Sequence, residues 1–433
     1  MTRHLSVFQI ILLAVFGALA VAGVLIFALA TAVDQGDALG PVEIWGSLPE
    51  RTITPVLQLA AETDPRLAQV TYLEKDPVQY EAELTNALAT GGGPDLFILR
   101  QDYAMKNAPK IAPIPSAQLS RKQFADTFVE AAAPFYSSEG ALAVPLVVDP
   151  LVLYWNRDTL SGNGYAKPPL YWSEVADMAA SSTIRRGDGS IEKATVALGE
   201  FSNIPAAKWI LSALVMQAGG TPTTVDSEGR LEASLGGYSG GGREAAESAI
   251  SFYTEFANPS KETYSWSRSL GSAQRAFSAG DLALYVGHAS EAALIQQMNP
   301  NLNFAIARLP QRSPSARPVN VATVYALAVS RTSKNPVGAR TVASLIAQEN
   351  LSRELAIRLG VSSALRDVLA KLAEGEQDLF NRETLIARSW IDPDPEKTSN
   401  IFRAMIERIA GGETDVTEAI LRADQEIGQL VNN

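Results

Sequence analysis

From residue 41 onwards, short apolar runs alternate with amphipathic segments. The runs at residues 41–45 and 68–73 read as strands, and DLFIL at residues 95–99 is almost continuously apolar. Between them, residues 53–63 and 77–89 carry apolar side chains at helical spacing. Alternating strands and helices predict a parallel sheet, and a continuously apolar strand suits burial on both faces. The sequence therefore predicts an α/β fold that opens with a βαβαβ unit, with ligands beyond the carboxyl ends of its strands.

The rest of the chain continues in the same style with more helix. Extended segments are predicted at residues 142–154, 282–286, 304–308 and 321–330. Helices are predicted at residues 172–180, 206–218, 243–256, 270–279, 289–298 and 416–430, the last in a mostly helical region that starts at residue 336. Pro145 and Pro150 interrupt the first extended segment as linker residues would. A chain of 433 residues exceeds one ordinary compact domain, so two lobes are expected.

An uncharged apolar segment at residues 10–33 precedes the globular part. About 20 apolar residues span the hydrocarbon core of a bilayer as a helix, so this segment is long enough to cross a membrane. The apolar part of a cleavable signal usually has only about 7–15 residues, which favours a retained transmembrane anchor. A long cleaved signal is the alternative, because Ala30, Thr31 and Ala32 have the small-residue pattern of a cleavage site.

The charges that flank this segment predict its orientation. Arg3 precedes it, whereas Asp34 and Asp37 follow it. Because fixed cations favour the cytoplasmic side, residues 1–9 are expected to form a cytoplasmic tail. Residues 34–40 then form a polar linker, and the globular part lies outside the cell membrane. The globular part is exported under either alternative for the apolar segment.

The composition excludes several functional classes. Acidic residues outnumber basic ones by 47 to 36, and the net charge of −11 disfavours nucleic acid as a partner. The chain has no cysteine, which excludes disulfides, thiolate nucleophiles and cysteine metal sites. His4 precedes the apolar segment, so His288 is the single histidine of the exported part, which argues against a hydrolase triad or a multi-histidine zinc site. We therefore expect neither a metal nor a cofactor.

Several segments of the exported part resemble one protein family, and they occur in the family's order. The segment at residues 80–99, YEAELTNALATGGGPDLFIL, combines a helix, a small-residue turn, Pro-Asp and an apolar strand. The others are VEIWGSLPE at residues 42–50, LAVPLVVDPLVLYWNRDTL at 142–160, PPLYWSEVADMA at 168–179, ALVMQAGGTPTT at 213–224, FSAGDLALYVGHAS at 277–290 and a helical block at 326–369. Together they resemble the family 1 extracellular solute-binding proteins of ABC importers, which are carbohydrate-type and periplasmic-binding-protein-like.

This resemblance implies a type II fold of two α/β lobes, each a mostly parallel sheet flanked by helices, with the ligand enclosed between them. Carried onto this chain, it assigns residues 41–148 and 287–323 to the first lobe, and residues 149–286 and 324–433 to the second. It also implies a monomer without enzymatic activity that closes around a solute and docks to ABC permease subunits.

A cleft for a hydroxyl-rich ligand needs aromatic platforms. Trp45 lies at the carboxyl end of the first predicted strand, Trp209 begins a helix, and Tyr325 lies in a predicted crossing strand. Trp266 lies in the polar loop YSWSRS, where a tryptophan is unusual unless it covers something. The competing interpretation for each is a core side chain. We treat all four as candidate ligand contacts.

Such a cleft also needs a few polar groups, and five residues are candidates. Ser47 follows the first predicted strand, and Gln101 and Asp102 follow the apolar strand at the same edge of the sheet. A helix N-cap is the alternative role for Asp102. Asp149 lies where the resemblance places the interlobe segment, and His288 follows a glycine after which many relatives carry an aromatic residue.

The sequence thus predicts a membrane-anchored, extracytoplasmic protein that captures a solute, with a mono- or oligosaccharide favoured. Two functions from other classes stay open. One is a membrane-anchored carbohydrate-active enzyme, because an Asp/Glu pair for glycoside hydrolysis is compatible with this acidic composition. The other is a ligand-sensing subunit of a membrane receptor.

Overall fold

The computed structural model describes residues 39–237, 242–371 and 373–432. Its strands are β1 (Val42–Gly46), β2 (Val70–Glu74), β3 (Leu96–Arg100), β4 (Ile114–Pro115), β5 (Gly140–Ala141), β6 (Ala143–Asn156), β7 (Ile184–Arg185), β8 (Ile191–Val196), β9 (Thr223–Val225), β10 (Leu231–Ala233), β11 (Leu282–His288), β12 (Phe304–Ala307), β13 (Asn320–Val329), β14 (Ser362–Ser363) and β15 (Ala387–Arg388). Its α-helices are α1 (Glu50–Thr63), α2 (Tyr80–Ala89), α3 (Ala104–Asn107), α4 (Arg121–Thr127), α5 (Arg157–Gly162), α6 (Trp172–Ser182), α7 (Ala207–Gln217), α8 (Gly242–Glu255), α9 (Ala273–Ala279), α10 (Glu291–Met298), α11 (Pro336–Ile346), α12 (Glu349–Leu359), α13 (Arg366–Leu369), α14 (Gly375–Leu385), α15 (Pro395–Ala410) and α16 (Val416–Val431).

The predicted βαβαβ unit forms at the start of the described chain. β1 pairs in parallel with both β2 and β3, and α1 and α2 connect them. Leu96, Phe97, Ile98 and Leu99 of β3 are each 4% exposed or less, as expected for a strand covered on both faces. After α2 ends, Gly91 adopts the left-handed conformation, with φ of 72°, and turns the chain towards β3. β13 extends this sheet and runs antiparallel to β3.

Two long strands, β6 and β13, run through both halves of the molecule. The first half of β6 pairs with β13, from Ala143 opposite Ala328 to Pro150 opposite Ala322. The second half of β6 pairs with β11 on one side and β12 on the other. One sheet therefore continues through the molecule in the order β2-β1-β3-β13-β6-β11-β8-β7.

Two hydrophobic cores lie on either side of these crossing strands. The first contains the side chains of β1 to β3, the first half of β6 and most of β13, together with α11 and α12. The second contains the second half of β6, β8, β11, the helices α6 to α9, and α15 and α16. We call the two halves built on these cores the first and second lobes. The predicted two-lobed α/β architecture is confirmed.

The division of the chain between the lobes differs from the prediction in two segments. Residues 287–323 belong largely to the second lobe, since Ala289, Ile295 and Leu309 pack in its core. Much of residues 324–433, including α11 and α12, packs in the first lobe instead. The physical reason is strand pairing, because β12 pairs with the second-lobe half of β6 and the chain returns to the first lobe only within β13.

Pro145 and Pro150 lie inside β6 rather than in a linker. Near Pro145 the register with β13 shifts, so that Val147 lies opposite Tyr325 while Pro145 lies opposite Ala326. A bulge of this kind accommodates a residue that lacks an N–H group within a sheet. Pro150 is the last residue of β6 in the ladder with β13, at the point where β6 changes lobe. Both prolines therefore mark irregular points of a continuous crossing strand.

The described chain enters the first lobe beside α11. The carbonyl of Leu39 accepts a hydrogen bond from Nδ2 of Asn335 at 2.6 Å, just before β1. Within residues 39–237, 242–371 and 373–432, no helix combines the length and the apolar composition needed to cross a membrane. The predicted anchor at residues 10–33 lies outside the described residues.

Asn320 fastens β13 to the second lobe, and its removal should destabilise the fold. Its Nδ2 donates to the carbonyl of Leu151 and to Oε2 of Glu383, both at 2.8 Å, and Asn320 and Glu383 are fully buried. N320A leaves a buried carboxylate with one donor fewer, so we expect the free energy of unfolding to fall by about 1–3 kcal/mol. Urea denaturation measures this change, with the exposed Asn301→Ala as control. Equal stability of the two variants would contradict the prediction.

Candidate functional site

The two lobes face each other where β3 ends. Arg100 is the last residue of β3, and its guanidinium carbon lies 5.9 Å from the ring centroid of Trp209 on α7. Because β3 packs in the first core and α7 in the second, this contact joins the lobes. The carboxyl ends of parallel strands form the ligand side of an α/β sheet, so the contact marks the candidate cleft.

A buried carboxylate holds Arg100 in place. Asp102 lies in the turn after β3 and is 3% exposed. Arg100 Nε donates to Oδ1 of Asp102 at 3.0 Å, and the terminal nitrogen Nη2 donates to Oδ2. The Arg100 side chain remains 38% exposed, and the ring of Tyr103 lies 5.4 Å from the guanidinium carbon. This two-point pairing orients the guanidinium and leaves part of it accessible to a ligand.

A neutral imidazole lies beside Trp209 in the second lobe. The rings of Trp209 and His288 meet edge to face, with centroids 6.0 Å apart and planes inclined at 84°. Nε2 of His288 lies 3.2 Å from Oγ1 of Thr323, a residue of β13. Burial lowers the pKa of His288 to about 4, so the ring is uncharged at neutral pH. Because Nε2 is engaged by Thr323, the ring has its other nitrogen, and no charge, to offer a ligand.

Tyr325 lies next to Arg100 across the β3–β13 ladder, in which the two residues are direct partners. Its side chain is half-buried. Burial raises the pKa of its hydroxyl to about 12 despite the opposing effect of the Arg100 charge, so the hydroxyl stays protonated. Together with Trp209 and the half-buried Tyr103, it gives this region three aromatic side chains.

An ion pair beneath Trp209 fixes the start of α15. Lys208 Nζ donates to Oδ2 of Asp392 at 2.6 Å, to the carbonyl of Pro395 at 3.0 Å and to Oγ1 of Thr398 at 2.9 Å. Burial raises the pKa of Asp392 to about 6, and the charge of Lys208 opposes that shift. All three donors of the ammonium are therefore used, and Lys208 has a positioning role in the second lobe.

Two predicted ligand contacts, Gln101 and Asp149, bind the protein itself. Nε2 of Gln101 donates to the carbonyl of Ala322 at 2.9 Å, and its Oε1 accepts from the N–H of Val324 at 2.7 Å. Gln101 therefore fastens the end of β3 to β13. Asp149 accepts from the N–H and hydroxyl of Ser290 at 3.0 and 2.6 Å, and burial raises its pKa to about 6. It fixes the start of α10 to the crossing point.

The other two predicted aromatic contacts, Trp266 and Trp45, have protein partners of their own. Trp266 is 1% exposed in the second core, and its indole N–H donates to Oδ1 of Asn203 at 3.0 Å. The ring of Trp45 is covered by Lys75, whose Nζ lies 3.8 Å from its centroid, and its indole N–H donates to Glu43. Each tryptophan thus has its partners within one lobe.

Four of the predicted ligand contacts lie in one cluster, and the residue at its centre was not predicted. Asp102, Trp209, His288 and Tyr325 are brought together around Arg100, which was not among the candidates. The signal for Arg100 was available, since it directly follows the apolar strand predicted at residues 95–99. Ser47 is half-buried directly after β1, at the carboxyl edge of the same sheet.

The low pKa of His288 predicts a measurable dependence of stability on pH. Its pKa is about 4 in the folded chain against about 6.5 when unfolded, a difference of roughly 3 kcal/mol. The stabilising contribution of the neutral ring is complete above about pH 6.5 and is lost as the pH falls towards 4. His288→Gln should therefore lose less stability than the parent between about pH 7 and about pH 4.5, measured by urea unfolding.

Asp149 provides a control of opposite sign for this measurement. Its folded pKa of about 6 is above the ordinary 3.8, so the folded chain takes up a proton as the pH falls between these values and gains stability. Asp149→Asn removes that gain, so the free energy of unfolding of this variant should fall more steeply than that of the parent as the pH is lowered. A His288→Gln profile parallel to that of the parent would contradict the prediction.

Solved structures of similar fold include three proteins at low sequence identity. The GacH receptor of Streptomyces glaucescens is 19% identical, with a TM-score of 0.71 over 91% of this chain and 98% of that chain. The sugar-binding protein MalE from Xanthomonas citri is 16% identical, with a TM-score of 0.72 over 90% and 97%. The ABC substrate-binding protein Lmo0181 from Listeria monocytogenes is 13% identical, with a TM-score of 0.70 over 90% and 98%. At these identities the likeness shows a shared fold.

The sequence also matches a family model. No protein of curated function matches the chain. The model for bacterial extracellular solute-binding proteins matches residues 60–349, which is more than half of the chain and includes the end of β3, α7 and both crossing strands. The chain therefore belongs to the bacterial extracellular solute-binding proteins.

Proposed function

We propose that this protein is the solute-binding component of an ABC importer and that it captures an uncharged carbohydrate between its lobes. The observation that carries the proposal is the Arg100–Trp209 contact, which brings a first-lobe guanidinium to a second-lobe indole, 5.9 Å from its ring centroid. A ligand held there touches both lobes at once. Closure of the lobes is then favoured by the ligand's higher affinity for the closed form.

The chemistry of the cleft suits a polyol. Sugars present apolar C–H faces, which pack on aromatic rings such as those of Trp209 and Tyr325, and hydroxyl groups that both donate and accept hydrogen bonds. Arg100 supplies donors, and the neutral His288 supplies the ring nitrogen that Thr323 does not engage. These groups match a ligand whose recognition depends on hydroxyl pairs.

The balance of charge favours an uncharged ligand. Arg100 is paired with Asp102, and Lys208 is paired with Asp392. Because each of these cations is already balanced by its own carboxylate, neither supplies the unbalanced positive charge that an anionic solute would need. A neutral sugar leaves both pairs intact.

Ligands of proteins with this fold support the same class. The GacH receptor was solved in complex with acarbose, Lmo0181 in complex with cycloalternan, and a cyclo/maltodextrin-binding protein in complex with maltotetraose. We infer that the solute of this protein is a mono- or oligosaccharide. Its partners are then the ABC permease subunits that receive the solute from the closed form, and the binding protein itself acts as a monomer.

A carbohydrate-active enzyme is the rival function, and the carboxylates of the cleft give it little support. Glycoside hydrolysis needs one carboxyl group as acid and another as base or nucleophile. Asp102 is bound to Arg100, Asp149 to Ser290, and Asp392 to Lys208. Groups engaged in this way serve structure and charge balance, which favours binding without turnover. A receptor subunit would share the binding step and differ in its membrane partner.

We further propose that residues 10–33 stay in place as a single-pass anchor, with residues 1–9 in the cytoplasm and the lobes outside. This follows from the length of the uncharged segment and from Arg3 preceding it. We expect intact-mass spectrometry of the membrane fraction to find a chain that retains this segment. A mature N-terminus after Ala32 would replace the anchor with a cleaved signal.

A ligand screen tests the binding function. Residues 34–433 are heated with maltotetraose, acarbose or tagatose, and separately with a peptide, a polyamine and a phosphodiester. A ligand at about 100 times its dissociation constant stabilises the folded state by about 2.7 kcal/mol, which raises the melting temperature measurably. We expect a shift with a sugar and no product by chromatography. Product formation would favour the enzyme, and a shift with a non-sugar alone would overturn the carbohydrate assignment.

Trp209→Ala tests the position of the site. Loss of an aromatic platform at a desolvated contact should weaken sugar binding by about 2 kcal/mol, or roughly 30-fold, in titration calorimetry. Trp45→Ala is the matched control, because Trp45 is equally half-buried but its ring is covered by Lys75. A larger loss of sugar affinity in the Trp45 variant would indicate that the site lies at the β1 end of the first lobe instead.

A further inference from the structure

The lobes also meet through charged side chains that lie beside the cluster around Arg100. Lys106 of the first lobe has its Nζ 3.2 Å from Oε2 of Glu396 and 3.5 Å from Oδ1 of Asp394, both in the second lobe. The hydroxyl of Tyr103 lies 3.5 Å from Oε1 of Glu396. We call these four residues the interlobe ion-pair contact. It joins the two lobes beside the candidate site.

The second-lobe half of this contact is held rigidly. Asp394 is the N-cap of α15 and accepts from the N–H groups of Glu396 and Lys397, both at 3.3 Å. The carbonyl of Pro395 accepts from Lys208, the residue before Trp209. The first turn of α15, which carries both acids, is therefore fixed relative to the indole of the candidate site.

The first-lobe half is equally close to the site. α3 follows Arg100 after one turn, so Tyr103 touches the guanidinium and Lys106 lies one helical turn further on. Burial alone would lower the pKa of Lys106, but its hydrogen bond to Glu396 and the charges of Asp394 and Glu396 raise it instead. Lys106 is therefore charged under all physiological conditions. Its carboxylate partners lie on the opposite lobe.

We propose that Lys106 is a positioning residue that favours lobe closure by pairing with Asp394 and Glu396, with Tyr103 supporting the contact, and that these ion pairs set solute affinity without touching solute. The affinity part rests on the proposed function, whereas the closure part does not. The apparent affinity of a protein for its ligand is its intrinsic affinity multiplied by the fraction of molecules in the binding-competent conformation. A contact formed only when the lobes meet increases that fraction.

The size of the effect follows from the exposure of the groups. The Lys106 and Glu396 side chains are 29% and 59% exposed, so each pair is partly screened by water. Two such pairs and one weak hydrogen bond together change an equilibrium by about 5- to 30-fold. Because these charges are exposed, salt should weaken the contact. The affinity for an uncharged solute should then fall as the salt concentration rises, although the solute itself carries no charge for salt to screen.

Lobe distances in the solute-free protein provide the primary test. The chain has no cysteine, so spin labels attach only at cysteines that are introduced. We place one at the exposed Val78 in the first lobe and one at the exposed Val225 in the second, as Val78→Cys and Val225→Cys. Pulsed electron paramagnetic resonance gives the distribution of distances between them. We expect Lys106→Gln and Glu396→Gln to shift the population towards longer distances, and Lys106→Arg to restore the short ones. Salt should lengthen the distances in the parent and leave Lys106→Gln unchanged.

Lys122→Gln is the matched control for the loss of a charged pair. Lys122 is 84% exposed and pairs with Asp126 within the same first-lobe helix, so it makes no contribution to closure. Unchanged or shorter distances in Lys106→Gln, or an equal shift in Lys122→Gln, would overturn the proposal.

The affinity for maltotetraose provides the second readout. We expect Lys106→Gln to weaken it by about 5- to 30-fold, mainly through faster dissociation, while the melting temperature without sugar stays near that of the parent. A shift of distances with unchanged maltotetraose affinity would overturn the role in affinity. If maltotetraose binds to neither the parent nor Lys106→Gln, the carbohydrate assignment fails for that sugar. The spin-label distances alone then test whether the contact favours lobe closure.

Discussion

The pairing of β6 with β13 is the constraint on which the rest of the structure depends. Both strands supply side chains to two cores, so the lobes are joined by a continuous ladder rather than by free loops. At the crossing point Asp149 lies opposite Thr323, and each binds a residue of the second lobe: Asp149 binds Ser290, and Thr323 binds His288. These bonds connect the crossing point directly to the start of α10 and to the imidazole of the candidate site.

The candidate site exists only where the lobes meet. Arg100 is placed by a strand of the first core, and Trp209 by a helix of the second. A rigid strand end and a rigid helix position their side chains more accurately than loops do, and the bond from Gln101 to Val324 keeps the end of β3 fixed to the crossing strand. The two sides of the candidate site are therefore preformed, and a ligand bound between them would require little reordering of side chains.

Local pattern predicted the elements well because periodicity and turn residues act over a few positions. The strand at residues 95–99 and the helix at 206–218 were located within two residues of β3 and α7. Assignment to lobes failed for residues 287–323 because it depends on the pairing of β12 with β6, about 150 residues earlier in the chain. A polar loop sequence likewise does not reveal that Trp266 turns inwards to Asn203.

Two sets of charged groups near the cleft contribute to different free energies. Lys208 and Asp392 are buried, so the cost of their desolvation cancels much of their attraction, and their main effect is to fix α15 against α7. Lys106 and Glu396 are more exposed and belong to opposite lobes, so little desolvation is needed and their attraction acts only when the lobes are in contact. Folding of each lobe and closure of the pair are therefore governed by separate residues. Affinity can then change through the exposed pair while the stability of each lobe stays the same, which makes solute affinity adjustable without remodelling the site.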